Sequence, residues 1–239
     1  MIIAIILAII VSRKIGFSKK VIWVCFIIGI LCELEKIFFF MADTGFGYRL
    51  PAEHIPFNLC PFQIFFIFAI AIADDMNKRK FIISYMYPTM LAGGFLGMLL
   101  PSIIFLGQHG LSDLATYRYF FFHGMVVFTG LYLYLSKPIE FTIKSFVTAL
   151  AGLVLIMIVT VWINAFFGWD PTVNFFFLVR PPAENLPIIN VKHGWTLYVA
   201  KLGGLTVALI GLCYIREIVR DLPKLIKSIG GKLGKGKAE

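Results

Sequence analysis

Charge is what this chain has least of, and negative charge least of all. Asp, Glu, Lys and Arg make up 15% of the 239 residues, and only 13 residues are acidic. A soluble domain carries about 25% charged and 45–50% apolar residues, whereas 59% of this chain is hydrophobic and 25 residues are phenylalanine. Too little polar side chain exists to cover a water-facing shell, which excludes a soluble globular protein. Cysteine is sparse as well. Cys25, Cys32, Cys60 and Cys213 show neither metal-ligand spacing nor the framework of a secreted domain, so no metal, no disulfide scaffold and no cofactor is expected. Cys25 and Cys32 lie seven apart in one apolar run and cannot bridge within one helix; packing as buried thiols is the plain reading for them. Internal repeats and a soluble domain are also missing. The opening stretch Met1–Val11 lacks the basic segment and cleavage site of a signal peptide, and at 11 residues it is expected to form a short or tilted first helix.

What is present is a series of long apolar runs, at 21–42, 55–73, 81–106, 117–135, 141–168 and 194–215. A membrane span needs roughly 20 mostly apolar residues. With the first helix, the runs predict an all-α, polytopic transmembrane bundle of seven helices over residues 1–215. Basic residues divide between the gaps in strict alternation. One set of gaps holds Arg13, Lys14, Lys19, Lys20, Lys78, Arg79, Lys80, Lys137 and Lys144, and the stretch from Arg216 onward adds seven more; the other set holds only Arg49, Arg118, Arg180 and Lys192. Cytoplasmic loops collect Lys and Arg, so the N-terminus is expected outside, the C-terminus inside, and the location is a cell membrane crossed several times. The net charge of +9 is then accounted for by topology and does not indicate nucleic acid. Residues 216–239 place apolar side chains at helical spacing beside lysines, which suits a basic amphipathic helix on anionic inner-leaflet lipid. Gly230, Gly231, Gly234 and Gly236 are expected to loosen its end into a flexible tail. Simple retention of topology by charge is the competing explanation.

Polar groups inside the runs are the candidates for function, because an ionisable residue there costs about 2.5–3.5 kcal/mol and usually faces a cavity or a partner. They are Glu33, Glu35, Lys36, Cys60, His123, Asn164 and Lys201. At a rise of about 1.5 Å per residue, Lys36, Cys60, His123, Asn164 and Lys201 all fall roughly 6–11 Å below the outer surface, with Glu33 slightly deeper. Alternatives stand beside this coincidence. Lys36 and Lys201 can snorkel to headgroups, Glu33 and Lys36 can neutralise one another on one helix face, and a lone intramembrane His can be a structural donor. The segment from Pro51 to Phe62, PAEHIPFNLCPF, sharpens the case. Proline favours the first turn of a helix and disfavours helical geometry in the residue before it. A helix starting at Pro61 with Cys60 as its N-cap is therefore expected, some 22 Å long and too short to cross the core, with 51–60 as irregular backbone lining a cavity. A thiol at a helix N-terminus is favoured as thiolate, and free first-turn N–H groups can hold an oxyanion. A proline-kinked continuous helix with a packed Cys60 is the alternative.

Four stretches carry a family resemblance: IPFNLCPF at 55–62, YRYFFFHGMVVFTGLYL at 117–133, INAFFG through NFFFLVRPP from Ile163 to Pro182, and the final span at 193–212. Together they resemble the YwaF-like integral membrane family of bacteria, whose animal relative is a transmembrane acyltransferase acting on ether phospholipids. The resemblance implies a seven-helix protein with Cys60 as nucleophile and His123 as base, and a polar loop contributing Asn164, Asn174 and Arg180. The sequence departs from the family in three places. Asn58 stands where His or Gln often lies two residues before the Cys, Phe175 replaces a common Tyr, and Trp169–Val173 lengthens the approach to Asn174. These departures bear on substrate identity and leave the Cys/His pair intact.

The leading expectation is a cysteine-dependent lipid acyltransferase or transacylase that passes an acyl chain between phospholipids and lysophospholipids through a thioester. Catalysis would fall to Cys60 and His123. Asn58, Asn164, Asn174, Arg180, Lys201, Glu33 and Lys36 would surround the substrate, with Arg180 or Lys201 on a lipid phosphate. The alternative is a membrane transporter or lipid-binding carrier built on Glu33, Glu35, Lys36 and Lys201; the missing inverted repeat counts against it. A scaffold without small-molecule chemistry is the third reading.

Overall fold

Long apolar runs with few breakers leave helix as the only structure able to satisfy every backbone group in lipid. The computed structural model describes residues 1–43, 50–99, 113–168, 173–181, 186 and 189–235. These residues form eight α-helices: α1 (Ile2–Ile15), α2 (Lys19–Asp43), α3 (Leu59–Ala71), α4 (Lys80–Leu99), α5 (Leu114–Ser136), α6 (Ile143–Phe166), α7 (Trp195–Cys213) and α8 (Ile215–Lys235). Arg49, the end of the expected 81–106 run beyond Leu99, residues 169–172 and 182–185 of the long outer connection, and Gly236 lie outside the described residues.

Among the described residues, four helices are long and apolar enough to cross a membrane: α4 with the 3-10 turn before it, α5, α6 and α7. The protein is therefore all-α and multi-pass. The remaining runs of the sequence form different lengths of helix. At 14 and 13 residues, α1 and α3 extend only about 20 Å. α2 has 25 residues, but Glu33, Glu35 and Lys36 interrupt its apolar character.

α4 is the hub, packed by α3, α5, α6 and α7. Small residues let it approach α5 closely. A methyl group on Gly94 would fall 2.8 Å from Val127 Cγ2, and one on Gly130 would fall 2.9 Å from Met90 Cβ, the device by which helices pack without a hydrophobic driving force in lipid. Pro88 sits inside α4 and has no N–H to give the carbonyl of Ser84. The hydroxyl of Tyr214, at the junction of α7 and α8, donates to that carbonyl at 2.9 Å instead. Tyr87, next to the proline, donates to Cys213 O at 2.5 Å. The α7–α8 elbow is thus bonded to the turn of α4 that Pro88 leaves open.

The α1–α2 turn is fastened from α5. Gly16 ends α1 with φ +66°, a backbone that glycine adopts without strain. Tyr132 then takes the Ser18 N–H at 2.7 Å and donates to Gly16 O at 2.7 Å. Two residues further along α5, Tyr134 donates to the buried Glu217 of α8 at 3.0 Å. Asp221 accepts the Ile143 N–H at 3.2 Å, and Arg220 donates to Phe141 O at 2.8 Å. The hydrogen bonds from Arg220 hold the Asp221 carboxyl down at about 2. So α8 begins as a docked helix. It continues through Gly230, Gly231 and Gly234 to Lys235, where the glycines led to the expectation of a loosened tail.

Candidate functional site

The helix bearing Cys60 begins two residues earlier than expected. α3 runs from Leu59, with Asn58 as N-cap, and its first helical bond is Phe62 N–H to Asn58 O at 2.9 Å. Cys60 is the second residue of the helix rather than its cap. Pro61 permits this because its missing N–H falls among the first-turn donors that lack an intrahelical acceptor anyway. Among the described residues, the first-turn N–H groups of Leu59 and Cys60 have no backbone acceptor. Ahead of the helix, Ala52–His54 form one 3-10 turn and Ile55 is extended.

Two glycines of α4 seat the two candidate catalytic side chains. A methyl group on Gly93 would fall 3.2 Å from Cys60 Sγ, and one on Gly97 would fall 2.7 Å from His123 Nε2. Gly93 and Gly97 are one helical turn apart, about 6 Å along the axis. α4 therefore forms a shelf on which thiol and imidazole lie in succession. The hydrogen bonds among the described residues include none between the two. The His123 Nδ1 nitrogen lies 2.8 Å from Tyr119 O. A carbonyl only accepts, so Nδ1 carries the proton and Nε2, above Gly97, keeps its lone pair. Tyr119 also donates its hydroxyl to Gly97 O at 2.9 Å, which ties the same turn of α5 to the shelf.

Both groups open onto a cavity of about 970 Å³. Glu33, Lys36, Asn58, Asn174 and Arg180 line it as well. Lys36 is paired with Glu33 along α2. Arg118, expected only as a loop charge, lines the cavity and is paired through Nε with Glu35. His54 lines it too, stacked on Phe40 with ring centroids 3.5 Å apart. Away from these charges the wall is Leu153 and Met157 of α6 and Leu202, Thr206 and Ile210 of α7. The cavity is amphipathic, lined by cations and carboxylates from α2, α5 and segment 173–181 and by aliphatic side chains from α6 and α7.

Two expected site residues are not on this wall. Lys201 neighbours the lining residue Leu202 on α7 but does not itself line the cavity. Asn164 is fully buried and holds the backbone of Phe175 from both sides, donating to Phe175 O at 3.1 Å and accepting Phe175 N–H at 3.1 Å. The other asparagines behave similarly. Asn174 Oδ1 accepts the N–H groups of Val179 and Arg180 at 3.0 and 3.2 Å, and Asn58 Oδ1 accepts the Phe176 N–H at 3.3 Å. The three amides pin segment 173–181 across the cavity. That grip holds Phe176 and Phe177 at φ +56° each, a left-handed backbone unusual for aromatic residues.

A family model matches residues 1–214, from the N-terminus to the α7–α8 elbow. The chain belongs to the TMEM164 family. No curated protein and no solved structure matches it. The TMEM164 match covers all of the helices around the cavity, and α8 lies beyond it. The YwaF-like part of the resemblance stands as a likeness of motifs.

Sequence reasoning missed several residues of this TMEM164-family site. Gly93 and Gly97 carry no chemistry of their own and show their role only through what rests on them. Gln63 and Thr89 form a buried pair at 2.9 Å near Cys60, and Thr89 lines the cavity; the signal was a lone glutamine in an otherwise apolar helix. Arg118 had a signal as well, lying five residues before His123 in an apolar run.

Proposed function

We propose that the protein is a membrane-embedded, cysteine-dependent acyltransferase that moves an acyl chain between phospholipids and lysophospholipids. The observation that carries this reading is the seating of Cys60 and His123 one helical turn apart on α4, in one amphipathic cavity. Membership of a family linked to ether-lipid acyltransferase activity supports it. His123 Nε2 takes the thiol proton as Cys60 Sγ attacks the donor ester carbonyl. The tetrahedral oxyanion is met by the Leu59 and Cys60 N–H groups. Its collapse forms the thioester, and the leaving alkoxide recovers the proton from Nε2. The acceptor hydroxyl then gives its proton to Nε2 and attacks the thioester, and the departing thiolate is reprotonated. A rotation that closes the gap between sulfur and imidazole precedes the first step, as apo sites often need. The cations on the wall suit a lipid phosphate, and the aliphatic side chains of α6 and α7 suit the acyl chain. Asn58, Asn164 and Asn174 act by holding segment 173–181, so their part is to shape the pocket.

The same reading includes seven spans over residues 1–215, an outside N-terminus, an inside C-terminus in the cell membrane, and a basic α8 on anionic inner-leaflet lipid. The carrier reading retains the Glu33–Lys36 pair on the cavity wall but loses Lys201 from it. The test uses the purified protein in phospholipid vesicles with a labelled acyl donor and a lysophospholipid acceptor. Wild type should transfer label and hold a hydroxylamine-sensitive adduct at Cys60, and Cys60→Ala should lose both. Transfer that persists in Cys60→Ala rejects the proposal.

A further inference from the structure

A second hollow, of about 640 Å³, lies between α2 and α5 and is lined by Leu31, Cys32, Glu35, Tyr117, Arg118 and Phe121 among others. It faces outward: Leu31, Tyr117 and Phe121 are 59%, 64% and 60% exposed. In a bundle surrounded by lipid, that exposure is to the bilayer. Two residues, Cys32 and Arg118, line both this groove and the catalytic cavity. They are the partition between the two spaces, and the Glu35–Arg118 ion pair holds the partition in place. Charges at a bilayer-facing groove are costly unless paired or used. Arg118 spends Nε on Glu35, and its terminal nitrogens make no hydrogen bond among the described residues. Those nitrogens form the planar fork that suits a phosphate. Arg118 is four residues into α5, about 6 Å from the helix start, close to headgroup level if the chain crosses as a bundle.

We propose that the α2–α5 groove is a lateral portal for phospholipid, and that Arg118, held by Glu35, is its gate. A lipid lays an acyl chain against the apolar walls of the groove, and its phosphate competes with Glu35 for the guanidinium. As Arg118 swings with the phosphate, the partition opens toward Lys36, Arg180 and the Cys60–His123 shelf. The portal rests on the acyl-transfer reading for its purpose, but its operation requires only lipid entry.

The experiment places the Cys60→Ala protein in membranes with phosphatidylcholine bearing a diazirine on one acyl chain, and maps crosslinks by mass spectrometry. Working in this background separates entry from chemistry, so loss of acyl transfer and loss of entry are read apart. Crosslinks are expected both in the groove (α2 and the start of α5) and in the cavity (α6 and α7). Arg118→Gln should lower the cavity crosslinks about tenfold while groove crosslinks remain, and Glu35→Gln should raise the cavity share. The same diazirine on diacylglycerol, which has no phosphate to draw Arg118 from Glu35, should label the groove and leave the cavity nearly unlabelled. Phe121→Trp, which narrows the groove without touching the ion pair, should lower cavity crosslinking by the phosphatidylcholine probe. Cavity crosslinks that are unchanged in Arg118→Gln and Phe121→Trp, or that occur without any in the groove, overturn the portal.

Discussion

The glycines of α4 and those of α7 are the same residue used in opposite ways. On α4, every methyl group that could be added at Gly93, Gly94 or Gly97 meets a neighbour within 3.2 Å, and two of those neighbours are Cys60 and His123. On α7, a methyl group at Gly203, Gly204 or Gly211 meets nothing within 4 Å. One helix uses missing side chains to bring the reactive groups against a rigid backbone. The other leaves space, and Gly203 leaves it on the cavity wall. A site of this kind needs both a fixed place for chemistry and room for a substrate, and here the two requirements fall on different helices.

Substitutions at these glycines should separate the two roles. The largest effect is expected at Gly97. Its alanine variant drives a methyl group into the imidazole and should lower the acyl-transfer turnover number about a hundredfold, with KM much less changed, as measured in vesicles with saturating donor. A protein with normal turnover would remove the shelf from the mechanism. Next comes Gly94→Ala, which overpacks the α4–α5 contact and should cost about 1–3 kcal/mol, read as a lower melting temperature in detergent. Gly203→Leu should fold normally and narrow the cavity at its α7 wall, shifting preference toward shorter acyl chains by about tenfold in a competition assay between chain lengths. An unchanged preference would mean that the acyl chain lies elsewhere. The smallest expected effect lies outside the spans. Because Asp221 titrates at about 2 in the folded protein against about 3.9 unfolded, its contribution is complete above the unfolded value. That contribution is lost as pH falls through about 2, so α8 docking through Asp221 should be flat from about pH 5 to about pH 8 in hydrogen exchange.

The sequence made the helical membrane class legible because run length and charge scarcity are properties of the chain itself. It also brought Cys60 and His123 forward, through Pro61 in one case and an isolated ionisable residue in the other. The site's support was less legible. Asn58, Asn164 and Asn174 look like ligand donors in sequence, but their partners are backbone groups of a segment that only the fold brings near. Arg118 sits at a helix start, where a membrane-boundary charge and a cavity charge have the same signature. The start of α3 was misplaced because proline fits any position of the first turn, so Pro61 marks the turn without marking its first residue.

The bond from Tyr214 to Ser84 has a mechanical consequence. Because Pro88 has no N–H to close its own turn, the Ser84 carbonyl of α4 is taken up by a hydroxyl belonging to the α7–α8 elbow. The beam that carries the shelf and the lever that leaves the bundle as α8 therefore share one joint. Tilting α8 loads that joint, and Tyr214→Phe would release it at a cost of about 1–3 kcal/mol for the orphaned carbonyl.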